Sequence, residues 1–130
     1  MENKYSVLLV DDDKFLLDMY RKKFETKVAK VDVAIGSEEA LAKLREGQKP
    51  DILILDIIMP VMDGLELLAT IRKENLAPDS TVIMLTNESD RDKIEKAKVL
   101  GIRGYIVKAT SIPSEVVEEA LKIANLEVKK

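Results

Sequence analysis

Four short apolar segments of this 130-residue chain end in side chains that can do chemistry. Residues 7–10 run into Asp11, Asp12 and Asp13; residues 52–55 into Asp56; residues 82–85 into Thr86; and residues 105–107 into Lys108. A fifth segment, 31–34, ends in nothing reactive. Adjacent carboxylates resist ionising together unless a cation is present. Hard divalent cations take oxygen ligands, and Mg2+ is typically held by one or two carboxylates with waters and phosphate oxygens. Aspartate after a strand also caps helices, and Asp13 suits that simpler role. Asp56 shifts the balance for Asp11 and Asp12, because a right-handed crossover sets its strand beside the first and brings all three carboxylates to one crevice. There Asp56 can ligate a metal or act as a nucleophile that forms an aspartyl phosphate. A phosphoryl group on Asp56 needs a hydroxyl donor and a cation, which Thr86 and Lys108 supply. Taken singly, Thr86 is a good strand former, Lys108 a solvated surface residue and Tyr105 a half-buried aromatic with its hydroxyl in water. At matching strand ends they read as one site.

The elements that must position these residues follow from hydrophobic period. It alternates between strand-like and helix-like, as in repeated strand-helix units with a parallel sheet, whose ligands bind beyond the carboxyl ends of the strands. Leu16, Met19, Tyr20 and Phe24 predict a helix over about 14–26. Residues 31–34 predict a short strand, and Ser37 the N-cap of a helix carrying Ala40, Leu41 and Leu44 and closed by Gly47. The unbroken apolar run 52–55 predicts a strand buried on both faces, at the centre of the sheet. Pro60 and Gly64 punctuate a loop over 57–64, followed by a helix with Leu67, Leu68 and Ile71. A strand over 81–85, a helix over 90–100 ended by Gly101 and a strand over 104–107 come next. Pro113 opens a last helix whose stripe is Val116, Val117, Ala120, Leu121 and Ala124.

Bulk properties set limits. The length predicts one domain, 1–130, with a single core. A net charge of −3, a pI near 5.1 and scattered basic residues argue against nucleic-acid and membrane-surface partners and favour protein contacts. There is no Cys and no His, which excludes disulfides, thiolate chemistry and imidazole-based catalysis or metal binding. Residues 1–6 show no basic-then-apolar leader and no apolar run approaches a membrane span, so the expected location is cytoplasmic.

The motifs Val-Asp-Asp-Asp at 10–13, Leu-Asp-Ile-Ile-Met-Pro-Val-Met-Asp-Gly at 55–64, Met-Leu-Thr at 84–86 and Gly-Tyr-Ile-Val-Lys at 104–108 make the chain similar to receiver domains of bacterial two-component response regulators. The resemblance covers about residues 4–125. It implies an α/β, flavodoxin-like, doubly wound sheet of five parallel strands in the order 2-1-3-4-5, with five helices. It further implies that Asp56 accepts a phosphoryl group from a histidine kinase or a histidine phosphotransfer protein. By the same resemblance, Asp11 and Asp12 bind Mg2+ together with the Asp56 side chain and the backbone carbonyl of Ile58. Thr86 and Lys108 hold the phosphoryl oxygens, Tyr105 turns inward as Thr86 moves, and a downstream protein reads the face made by the fourth helix, fifth strand and fifth helix. The expected molecule is a stand-alone switch, monomeric or dimerising on phosphorylation, that catalyses only its own phosphorylation and dephosphorylation. Two positions depart from the family pattern. Ala109 stands where many members have the proline whose cis peptide aims the lysine, and Ile58, with Glu88 two residues beyond Thr86, flanks the path of an attacking water. The apolar Ile58 predicts a long-lived phosphoryl-aspartate. A receiver-like scaffold that binds partners without phosphotransfer is the alternative, disfavoured by the complete acidic triad. An aspartyl-phosphate hydrolase acting on free substrates is disfavoured by Ile58, which stands where such enzymes often carry an acid-base aspartate.

Overall fold

A computed structural model describes residues 5–86, 91–108 and 112–128. Strands and helices alternate as β1 Ser6–Asp11, α1 Lys14–Glu25, β2 Lys30–Ile35, α2 Ser37–Arg45, β3 Ile52–Asp56, α3 Gly64–Lys73, β4 Thr81–Thr86, α4 Arg91–Val99, β5 Gly104–Val107 and α5 Pro113–Val128. The strands form one parallel sheet in the order β2-β1-β3-β4-β5. β3 is therefore central, and all five of its residues are buried, as its unbroken apolar run predicts.

Strand periodicity divides the core between the two faces. Leu8, Val10, Leu53, Leu55, Val82 and Met84 pack against α2, α3 and Ala97 of α4. Val7, Leu9, Ile52, Ile54, Ile83, Leu85 and Ile106 pack against α1 and α5. All five stripe residues of α5 are buried. In α1 the stripe is Leu17, Tyr20 and Phe24, while Met19 is 46% exposed. The three-and-four spacing from Leu17 follows the 3.6-residue turn, and Met19 lies off it.

The start of α2 departs from expectation in a way that affects the site. Gly36, at φ 89, is the N-cap, and no side chain caps the helix. Ser37 is already helical, so its hydroxyl is turned elsewhere. Gly47, at φ 107, lies past the helix end as predicted. The predicted helix over 90–100 is α4; residue 90 lies outside the described residues. Among the described residues, no helix is long and apolar enough to cross a membrane.

Candidate functional site

Register brings the reactive residues together. Val10 pairs with Leu55, Asp56 with Leu85, and Thr86 with Val107, so Asp11, Asp56, Thr86 and Lys108 cap four parallel strand ends side by side. Asp11 and Asp56 are 1% and 3% exposed and Thr86 is fully buried, whereas Asp12 stands exposed on the rim. One carboxylate oxygen from each of Asp11, Asp12 and Asp56 lies within 4.8 Å of the others. Lys108 Nζ reaches both buried acids, 3.4 Å from Asp11 Oδ2 and 3.3 Å from Asp56 Oδ2. Asp11 Oδ1 accepts the Asp13 N–H at 3.0 Å. Asp13 itself caps α1, its Oδ1 accepting from the N–H groups of Phe15 at 3.0 Å and Leu16 at 3.2 Å. The simpler reading of that residue holds.

The electrostatics of this cluster are unbalanced. Burial, and then the charge of Asp11, raise the Asp56 carboxyl from 3.8 to about 7. Burial likewise raises Asp11, opposed by the Asp13 N–H and by Lys108. Burial works against the Lys108 charge, but Asp56 and Asp11 outweigh it and hold the ammonium above its ordinary range. Two of the three clustered carboxylates thus share one ammonium, and with Asp12 they form an all-oxygen donor set richer in acid than in base. That set fits a small, hard divalent cation.

The segment joining β3 to α3 wraps the site. Gly64 N–H donates to the Ile57 carbonyl at 2.8 Å, closing the loop on itself, and Ile57 N–H donates to the Leu85 carbonyl at 3.0 Å. Only glycine fits at position 64, since an added Cβ would lie 2.9 Å from Ile57 Cα and still closer to the Asp56 carbonyl oxygen. Asp63 caps α3 in a capping box with Glu66, and Lys93 of α4 lies 3.4 Å from Asp63 Oδ2. Asp63 is a structural residue that sequence reading passed over, although its three-residue spacing to Glu66 is a recognisable signature. Ser37 is another: its hydroxyl donates to the Met62 carbonyl at 2.7 Å, tying the start of α2 to this loop. Within the loop, Val61 has φ 69, which costs a β-branched residue about 1–2 kcal/mol. Ile58, two residues beyond Asp56, is 46% exposed, and Tyr105, beside Met84 in the register, is 42% exposed. Glu88 and Ala109 lie outside the described residues.

Comparison with known proteins gives a consistent picture. The family model for the response regulator receiver domain matches residues 7–121. The chemotaxis protein CheY of Halobacterium salinarum is 35% identical over 108 residues, covering 83% of this chain and 88% of that protein. A protein-glutamate methylesterase/protein-glutamine glutaminase of Halalkalibacterium halodurans is 36% identical over 110 residues, but only 31% of its length is covered. Among solved structures, a CheY-like receiver domain protein of Methanospirillum hungatei superposes with a TM-score of 0.84 at 28% identity, covering 98% of each chain. Chemotaxis protein CheY4 of Vibrio cholerae gives 0.81 at 28% identity, covering 92% of this chain and 98% of that one.

Proposed function

This chain belongs to the response regulator receiver family, and from that premise we propose that it is a phosphorylation-activated switch whose acceptor is Asp56. The observation that carries the proposal is the pairing of a buried Asp56 with Asp11, Asp12 and Lys108 at adjacent strand ends. Asp11, Asp12 and the Asp56 side chain would hold Mg2+ with the Ile58 carbonyl. When bound, the cation neutralises charge on the transferred group and on the carboxylates around it. An Asp56 oxygen attacks the phosphorus of a phosphohistidine on a kinase or phosphotransfer protein. The O–P bond forms as the N–P bond breaks, and the imidazole nitrogen leaves with the bonding electron pair. Lys108 lies within reach of the same carboxylate and offsets the growing charge, so most of the rate comes from positioning and electrostatics. Thr86 donates its hydroxyl to a phosphoryl oxygen.

The new charge and its acceptor oxygens then bias a two-state surface. As Thr86 moves toward the phosphoryl group, Tyr105 turns from its half-exposed position inward, and the face of α4, β5 and α5 changes shape for a downstream protein. Beryllofluoride with Mg2+ mimics the phosphoryl group and provides the test by two-dimensional NMR. Shifts spreading from Asp56 to Tyr105 and α4 are expected. Binding that leaves α4 and β5 unshifted would favour the scaffold that engages partners constitutively.

A further inference from the structure

The loop after Asp56 adopts a conformation that its own sequence resists. Met62 N–H donates to the Pro60 carbonyl at 2.7 Å, which makes a three-residue γ-turn with Val61 at its apex and φ 69. The positive-φ form of this turn is the rare and strained one. Val61 regains nothing by burial, being 95% exposed. Strain of this kind survives only where the surroundings over-determine the backbone. Upstream of the apex, Met59 is anchored at 6% exposure. Downstream, the Met62 carbonyl accepts the Ser37 hydroxyl, and Ser37 is 5% exposed and 25 residues earlier in the chain. Both partners of this bond line a cleft of about 400 Å³ whose lining also includes Asp12 and Val61. Ser37 therefore fastens the strained turn to the element flanking the acidic cluster.

We infer that Ser37 is a positioning residue for the metal site: its hydroxyl holds the Pro60–Met62 turn in its strained form and so fixes the loop that carries the Ile58 carbonyl. The inference rests on the Mg2+ reading above. Without the clamp the Val61 strain is free to relax, and the loop spends less time in the ligating geometry. Ser37→Ala should then weaken Mg2+ binding about three- to tenfold, the scale of one net hydrogen bond. Val61→Asn lowers the strain, because asparagine lacks the branch at Cβ and is enriched several-fold at positive φ. In that background Ser37→Ala should weaken Mg2+ binding less than about twofold, a non-additivity expected only of coupled residues.

Calorimetric Mg2+ titration of the wild type, both single variants and the double variant tests this, together with hydrogen exchange of amides 57–64 in Mg2+-free protein. Expected are the unequal losses above and faster loop exchange in Ser37→Ala without metal. Unchanged affinity and exchange in Ser37→Ala, or equal losses in both backgrounds, would overturn it. A wild type that does not bind Mg2+ would sink the metal reading and this inference with it, while the exchange result still reports whether the clamp exists. Should Ser37→Ala not fold, Val61→Asn alone decides: a higher Tm is expected, and a lower one removes the strain premise.

Discussion

Asp56 is where burial, like charge and reactivity meet, and its titration has a consequence for stability. Its carboxyl titrates near 7 in the folded protein against 3.8 ordinarily. Between those values the folded state holds a proton that the unfolded chain has released. Metal-free protein should therefore lose stability as pH rises from about 4 to about 7, by an amount on the order of 2 kcal/mol. Asp56→Asn should flatten that slope and be the more stable protein at pH 7.5, with Mg2+ narrowing the gap. Urea unfolding across this window checks it, and a wild type that gains stability through the window would contradict it. Ile58 sets the second residue-scale expectation. A polar side chain at this position would help place an attacking water, so Ile58→Asn should shorten the phosphoryl lifetime several-fold, well below the roughly hundredfold or more of a true general base. An unchanged decay rate in the variant would remove Ile58 from the account.

At the scale of elements, the loop from β3 to α3 depends on its caps. Asp63→Ala removes the capping box and the Lys93 contact together, and should cost about 1 kcal/mol by thermal or chemical unfolding. A loss indistinguishable from zero would show the box to be idle. The difference between what was and was not legible in the sequence is clearest here. The central β3 was readable because a strand buried on both faces leaves an unbroken apolar run. The α5 stripe was readable because five apolar residues keep helical spacing. The Asp13 cap and the four strand-end residues were readable because local chemistry and strand order place them. Ser37 was not: a serine before two glutamates has the composition of an N-cap, and its actual partner, the Met62 carbonyl, is created only when two loops meet. Met19 was misassigned because Leu16 and Leu17 are both apolar, leaving the phase of the helix ambiguous until α1 packs on the sheet. Asp63 could have been found from its spacing to Glu66, but the flanking proline and glycine marked the segment only as loop. The contact between Lys93 and Asp63 is tertiary and leaves no local signal.

Across the whole molecule, the sheet places the acidic cluster at one end of β1 and β3, with β4 and β5 leading away from it toward α4. That helix buries only Ile94 and Ala97. It is tied to α3 largely by polar contacts: Arg72 Nε donates to the Leu100 carbonyl at 2.8 Å and its Nη2 to the Gly101 carbonyl at 3.2 Å, and Lys93 meets Asp63 at the other end. An element with little apolar burial is cheap to displace, which suits α4 to carry a signal. Val99 on α4 is 87% exposed and Tyr105 on β5 is 42% exposed, so both elements present apolar surface to solvent. Val99→Asp should weaken capture of a downstream protein about tenfold or more while phosphoryl acceptance stays unchanged. Loss of both together would move the output face elsewhere or show Val99 to be structural. The central claim is that Asp56 accepts a phosphoryl group with the help of a cation held by its acidic neighbours. It is tested most directly by intact-protein mass after incubation with phosphoramidate, with and without Mg2+, for the wild type and Asp56→Asn. A single Mg2+-dependent phosphoryl adduct that is absent from Asp56→Asn is the predicted result. An unmodified wild type under every condition, or an adduct that persists in Asp56→Asn, would contradict it.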